Sequence, residues 1–170
     1  KKLKKIILSE ESKFWKFLTT NKFLDINRID LDKKILKNFY KNRGFYNVSI
    51  ESSSARIIDE SNFQLIFNIN AGERFFFNDF NLKLPNNFDK KNFEHLYKMF
   101  KKYKNKKYSQ KKVNELIKET EDIILSKEFQ FTKASYDEKI IDNNKINLTI
   151  SIEDTEKFFV NKINIYGNFI

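Results

Sequence analysis

Alternating apolar positions at Phe63, Leu65, Phe67 and Ile69 recur at Ile146, Leu148, Ile150 and Ile152, an offset of 83 residues. The same offset carries Phe75–Phe77 onto Phe158–Val160, and Phe80 and Leu82 onto Ile163 and Ile165. A period of two, repeated at a fixed long spacing, predicts one strand–turn–strand element used twice. The chain therefore reads as part of a tandem array, an architecture that presents surface more often than it performs chemistry.

The segments between these strands read as helices. Residues 2–20 carry Leu3, Ile6, Ile7, Phe14, Trp15, Phe17 and Leu18 and predict a helix breaking near Ser9. Asp25 is placed to cap a second helix, whose one face holds Ile29, Ile35, Leu36, Phe39 and Tyr40 and which Gly44 ends. Tyr46, Val48 and Ile50 then alternate with Asn47, Ser49 and Glu51 as a strand, and a turn at Asp59–Asn62 leads into Phe63–Ile69.

After Ala71–Gly72 comes a strand over Arg74–Leu84, closed by Pro85. A helix over 88–101 puts Phe93, Leu96, Tyr97 and Phe100 on one side. Ser109 is the expected N-cap of the next, where Val113, Leu116, Ile117, Thr120, Ile123 and Ile124 keep a 3.6-residue period. A weaker strand over 129–138, a turn at Asp142–Asn144, a strand over Lys145–Ile152 and a last strand over Lys157–Ile165 follow. The predicted order is α–α–β–β, then β–α–α–β–β, then a lone β. This implies a unit at 1–72 lacking its first strand, a complete unit at 73–154, and the opening strand of another at 155–170, cut from a longer chain.

Composition narrows the picture. Hydrophobic residues make up 40% of the 170, with 19 Phe and 7 Tyr, enough for packed cores. No apolar run is long enough for a membrane helix. The net charge of +10 is spread as +6 over 1–72 and +3 over 73–154. That balance permits nucleic acid, anionic lipid or acidic protein as partner, while joint richness in Lys, Asn, Ile and Phe also matches an AT-rich genome.

Chemistry is largely excluded. There is no Cys, and His95 is the only His, so the usual zinc sites are absent and a Ser–His–Asp triad would rest on one residue at a helix flank. Three Gly cannot form a phosphate-cradling loop. Acidic pairs at Asp59-Glu60, Glu121-Asp122 and Glu153-Asp154 fit turns and helix exteriors. The expectation is no enzyme, no metal and no cofactor.

Two surface features stand out. Lys98, Lys101, Lys102, Lys104, Lys106, Lys107, Lys111 and Lys112 cluster with Tyr97, Tyr103 and Tyr108 between them. Such a cluster is read as a solvated interhelical loop, an anionic-surface contact (Lys101, Lys102, Lys104, Lys106, Lys107) or a single-stranded nucleic-acid grip. Phe75-Phe76-Phe77 places three aromatics in a row on a strand, so one must face away from the helices, either onto the neighbouring unit or as an exposed contact.

Four segments, in order, carry a family resemblance. Glu11-Ser12-Lys13-Phe14-Trp15-Lys16-Phe17-Leu18 resembles a Glu-Ser-x-Trp-Trp-x-Phe-Leu segment, and Leu36-Lys37-Asn38-Phe39-Tyr40-Lys41-Asn42-Arg43-Gly44-Phe45 a Leu-Arg-x-Phe-Tyr-x-x-Arg-Gly-Tyr segment. Gly72-Glu73-Arg74-Phe75 resembles a Gly-Glu-x-Tyr junction, and Phe159-Val160-Asn161-Lys162-Ile163-Asn164-Ile165-Tyr166-Gly167-Asn168 a Tyr-Val-x-x-Ile-x-Ile-x-Gly-Asn strand. These are motifs of the POTRA repeats of outer-membrane protein assembly factors, the first of them in alphaproteobacterial members. Two departures stand against them: Lys127-Glu128-Phe129 lacks the Gly expected before the aromatic, and Pro85-Asn86 replaces a Gly-Asn turn.

The resemblance implies an α+β fold of tandem POTRA domains, each a three-stranded mixed sheet with two helices on one face. It further implies a periplasmic segment that binds unfolded β-barrel clients by strand addition and docks accessory lipoproteins, ahead of a C-terminal outer-membrane β-barrel. The second strand of each unit is the family's usual open edge, which maps to 45–56 and 129–138. The implied edge residues are Tyr46, Asn47, Val48, Ser49, Ile50 and Glu51, and Gln130, Phe131, Thr132, Lys133 and Ala134. Asn47, Ser49, Glu51 and Ser53 would point outward and keep the edge soluble. A POTRA region of another barrel-type transporter and a basic nucleic-acid module remain as alternatives.

Overall fold

The computed structural model describes residues 2–7, 26–59, 62–86, 88–127, 132–141, 144–154 and 162–167. The elements are α1 (Ile26–Lys41), β1 (Ser49–Asp59), β2 (Asn62–Asn70), β3 (Phe76–Lys83), α2 (Glu94–Tyr103), α3 (Gln110–Ser126), β4 (Thr132–Ile141) and β5 (Lys145–Asp154). β1 and β2 form an antiparallel pair; the second sheet has the order β3-β5-β4. Within it β3 runs parallel to β5 and β4 antiparallel to it, the mixed three-stranded sheet expected. A parallel neighbour needs a crossover, and α2, α3 and β4 all lie between β3 and β5.

β5 is central because it is the most apolar strand on one face. Ile146, Leu148, Ile150 and Ile152 are at most 4% exposed, and each such side chain contributes roughly 1.5–3 kcal/mol by leaving water. Against them pack Phe77 from β3, Leu96 and Phe100 from α2, and Val113, Leu116 and Ile124 from α3. Thr120 is tolerated in that core because its hydroxyl donates to the Leu116 carbonyl at 2.8 Å. The face of α1 foreseen from its spacing is at least half-buried throughout, with Leu36 buried.

Several boundaries move for local reasons. The helix expected over 88–101 starts at Glu94, preceded by a 3-10 turn over Lys90–Phe93 that Asp89 caps by accepting from the Lys91 N–H at 2.9 Å. β1 begins at Ser49, since Tyr46 N–H donates to the Gly44 carbonyl (3.0 Å) and Val48 N–H to that of Phe45 (3.4 Å), which holds 44–48 in turns. Opposite β2, β1 carries extra residues at Glu51 and Ile58. The first bulge shifts the register by one, so that Ser52 pairs with Asn68 and Ser53 with Phe67.

β4 starts at Thr132, and residues 128–131 lie outside the described ones. Of the strand expected over 157–165, the described stretch 162–167 is exposed and joins no sheet. The helix expected over 2–20 is described only at 2–7, a 3-10 turn at Leu3–Lys5; the Trp15 motif and Asp25 lie outside the described residues.

The end of α1 docks on the second sheet's helical layer. Gly44, at φ +97°, offers its carbonyl to the Phe75 N–H at 2.7 Å, an approach that leaves a Cβ only 3.3 Å from the Phe75 oxygen. Tyr46 packs its ring 5.5 Å from Phe75 and 4.9 Å from Tyr108, and Arg74 lies over Phe45. Ser109 has the extended N-cap conformation expected at the start of α3, yet its hydroxyl caps nothing and instead lies 3.2 Å from Asn42 Oδ1. Asn42 Oδ1 accepts the Lys111 N–H at 2.8 Å. The cap of α3 is thus supplied by the residue that follows α1.

Candidate functional site

The two edges of the three-stranded sheet are not alike. At the β3 edge, the α2–α3 loop lies alongside as a short extra strand. Phe77 N–H donates to the Lys106 carbonyl, Asn105 N–H to that of Phe77, and Tyr108 N–H to that of Phe75, all at 2.9 Å. Asn105 sits at φ +61° to make this turn, and Phe76 bridges to Lys107. At the other edge β4 pairs with β5 alone, so one side of its ten residues keeps its backbone groups unpaired among the described strands.

The register decides what an added strand would meet on β4. Ala134, Tyr136, Glu138 and Ile140 lie opposite Ile152, Ile150, Leu148 and Ile146, hence on the helical face. Ala134 packs on the core, whereas Tyr136 (43%) and Ile140 (48%) stay open to solvent at the rim. Lys133, Asp137 and Lys139 are exposed on the other face, a row of charge that keeps an open edge soluble.

Glu138 reaches inward to the buried Tyr108 hydroxyl at 2.9 Å, which also lies 2.8 Å from Gln110 Oε1. Gln110 in turn donates to the Tyr136 hydroxyl at 3.2 Å, linking the edge to the start of α3. Burial, then the Glu138 charge, push the Tyr108 phenol far up and the Tyr46 phenol up to about 12.

The residues implied for the edges divide. Thr132, Lys133 and Ala134 open β4, while Gln130 and Phe131 lie outside the described residues. Ser49, Ile50 and Glu51 open β1, which among the described strands pairs with β2 alone. Tyr46, Asn47 and Val48 precede it in the turn; Tyr46 is taken up by the joint and Val48 is buried at 3% exposure. Tyr136, Ile140 and Asn42 were not foreseen. Tyr136 falls within the strand expected over 129–138, and the alternation reaches Ile140 only because that strand runs on to Ile141.

Of the three consecutive aromatics, Phe77 is fully buried, Phe75 lies in the joint and Phe76 remains 37% exposed. In the lysine cluster Lys104 pairs with Asp79 at 2.9 Å, and that bond lowers the Asp79 carboxyl. Lys102 and Lys112 lie over the Tyr103 ring, whose hydroxyl donates to Glu115 at 2.8 Å. Burial, then the Glu115 bond, push the Tyr103 phenol up to about 12. Lys101, Lys106 and Lys107 are exposed. Tyr103 (8%) and Tyr108 (0%) are buried and offer no face for stacking bases.

His95 pairs on the surface with Glu119 at 2.7 Å. Among the described residues there is no acidic or imidazole cluster fit to hold a metal, and no helix long and apolar enough to cross a membrane.

Strand order and the helical layer over one face give this chain the POTRA fold. Residues 1–72 match the family model described as POTRA, surface antigen variable number repeat. The particular repeats that this chain resembles are those of BamA. It is similar to the crystal structure of Haemophilus influenzae BamA POTRA3-5, with a TM-score of 0.74 and 12% identity over 99% of this chain and 66% of that one. It is also similar to BamA from Haemophilus ducreyi lacking POTRA domains 1-3, with a TM-score of 0.61 and 11% identity over 80% of this chain and 24% of that one. At such identities the likeness is one of fold, and the chain spans just under two thirds of the first structure and about a quarter of the second. No curated protein sequence matches the chain.

Proposed function

We propose that this chain is a periplasmic segment of an outer-membrane protein assembly factor, with units at 1–72 and 73–154 and a further one beginning at 155. Its role is to hold unfolded β-barrel clients by strand addition, and to dock accessory lipoproteins, beside the outer-membrane barrel that follows it in the same protein. The observation that carries this reading is the asymmetry of the sheet: β3 is covered along its start by the 105–108 loop, whereas among the described strands β4 pairs with β5 alone. Backbone pairing at such an edge asks little of the partner's sequence, which suits many clients. The half-open Tyr136 and Ile140 supply apolar contact for alternate side chains. A segment of this kind binds without catalysis and has no use for nucleic acid, whose stacking surface would need the buried Tyr103 and Tyr108.

The test uses an extended peptide from an outer-membrane barrel strand, titrated into the isotope-labelled chain and followed by NMR. Shifts concentrated in Thr132–Ile141 are expected. Two versions of the peptide, N-methylated at alternate residues, separate strand addition from other contact. One set of N–H groups faces the edge, so one version loses binding and the other keeps it. Equal binding by both would remove strand addition from the mechanism.

A further inference from the structure

A groove opens on the other side of the sheet, between α2 and β3, lined by Asp79, Phe80, Tyr97, Phe100, Lys101 and Lys104. Phe80 and Phe100 stack on each other at 5.1 Å and 11°, and Tyr97 meets Phe100 edge-on at 5.8 Å and 90°, so ring surfaces supply the groove's apolar lining. On α2, Tyr97, Phe100 and Lys101 follow helical spacing and share the stripe that faces β3, with Lys104 at the helix's C-cap just beyond them. The volume is about 200 Å³, below the roughly 300–1,000 Å³ of small-molecule pockets. It suits one inserted side chain rather than a whole ligand.

The rim is basic. Residues 97–112 hold eight Lys and no Asp or Glu. Asp79, the acid of the groove, is already neutralised by Lys104 at 2.9 Å. Lys101 has no ion pair among the described residues, and neither do Lys98, Lys106 and Lys107. The helix C-terminal dipole favours Lys101 and Lys102 in the last turn of α2 but leaves the charge of the following loop uncompensated.

We propose that this groove docks an acidic segment of a partner protein, one that inserts a single aromatic or large aliphatic side chain against Phe80 and Phe100 and sets flanking carboxylates on Lys101 and its neighbours. A lipid headgroup layer offers phosphates but no side chain to fill a concave apolar site. Within the lysine-rich stretch Tyr103 and Tyr108 are buried, so neither is free to enter a bilayer. The depressed affinity of Lys112 for its proton, caused first by burial and then opposed by Glu115 but reinforced by Lys106 and Lys102, is consistent with concentrated positive charge here. The groove lies at the β3 edge, away from β4, so it is independent of strand addition and both could be filled together.

The probe is the capped peptide Glu-Glu-Phe-Glu-Glu, titrated into the 170-residue chain by NMR and fluorescence anisotropy. Shifts are expected at Asp79, Phe80, Tyr97, Phe100 and Lys101, with affinity falling as salt rises. Glu-Glu-Gly-Glu-Glu and Gln-Gln-Phe-Gln-Gln should each bind roughly tenfold more weakly or worse. Lys101→Glu should weaken the parent peptide by at least about the same factor, with an unchanged melting temperature, because Lys101 is exposed and outside the core. Equal binding of the Gly peptide, indifference to Lys101→Glu, or binding only to phosphatidylglycerol vesicles would each overturn the proposal.

Discussion

Asn42→Ala tests whether one unit caps the next. Asn42 follows α1, and its Oδ1 accepts the Lys111 N–H at 2.8 Å, 69 residues away, with Ser109 Oγ at 3.2 Å. Lys111 is the second helical residue after the Ser109 cap position, one of the first-turn donors that α3 cannot satisfy internally. Removing a side-chain cap costs ~0.5–2 kcal/mol, typically near 1. The lower end applies if Ser109, freed of Asn42, turns its hydroxyl onto its own helix. A loss of about 1 kcal/mol lowers the melting temperature by roughly 2–4 °C in a chain of this size.

Calorimetry reads that shift, and hydrogen exchange reads its place: Lys111 N–H should lose protection, while amides of central β5 change only as far as global stability does. Asn42→Asp, which keeps an acceptor and adds a charge favourable to a helix N-terminus, should retain the cap at neutral pH. An Asn42→Ala chain that melts at the same temperature with Lys111 equally protected would refute the cross-unit cap.

Two further outcomes concern Gly44 and the buried phenols. Gly44→Ala must hold a side chain at φ +97° with its Cβ 3.3 Å from the Phe75 oxygen, so it should destabilise the chain by roughly 1–2 kcal/mol in urea denaturation. For the phenols, Tyr46 and Tyr103 are raised to about 12 from 10.0, with burial as the first cause. A pKa raised on folding contributes stability that is complete below about pH 10 and is lost as pH climbs through 12. Absorbance of phenolate near 295 nm should therefore show a late-titrating class, with Tyr108 ionising only as the chain unfolds, and Tyr108→Phe should shrink that class.

The helical faces and the central strand were legible in the sequence because each depends on one segment's own period. Leu36 on α1, Val113 and Leu116 on α3, and Ile146–Ile152 on β5 are buried where their spacing put them. The POTRA resemblance extended this to a mixed sheet, which β3 parallel and β4 antiparallel to β5 provide.

What periodicity does not encode is which donor meets which acceptor across distant segments. The bulge at Glu51 breaks an alternation that reads as continuous. Ser109 has the residue type and backbone of a cap, yet Asn42 does the capping. Three equivalent aromatics part ways, Phe75 to the joint, Phe77 to the core and Phe76 to solvent, because Gly44 and the 105–108 loop claim the backbone of Phe75 and Phe77. The lysine run likewise reads as uniform charge. Only packing buries its Tyr103 and Tyr108, turns its loop into a cover for the start of β3, and leaves β4 as the edge of the three-stranded sheet with no neighbour among the described residues. Local propensity sets which elements form; long-range hydrogen bonds and burial, which arise only once the elements are packed, set which surfaces remain to be used.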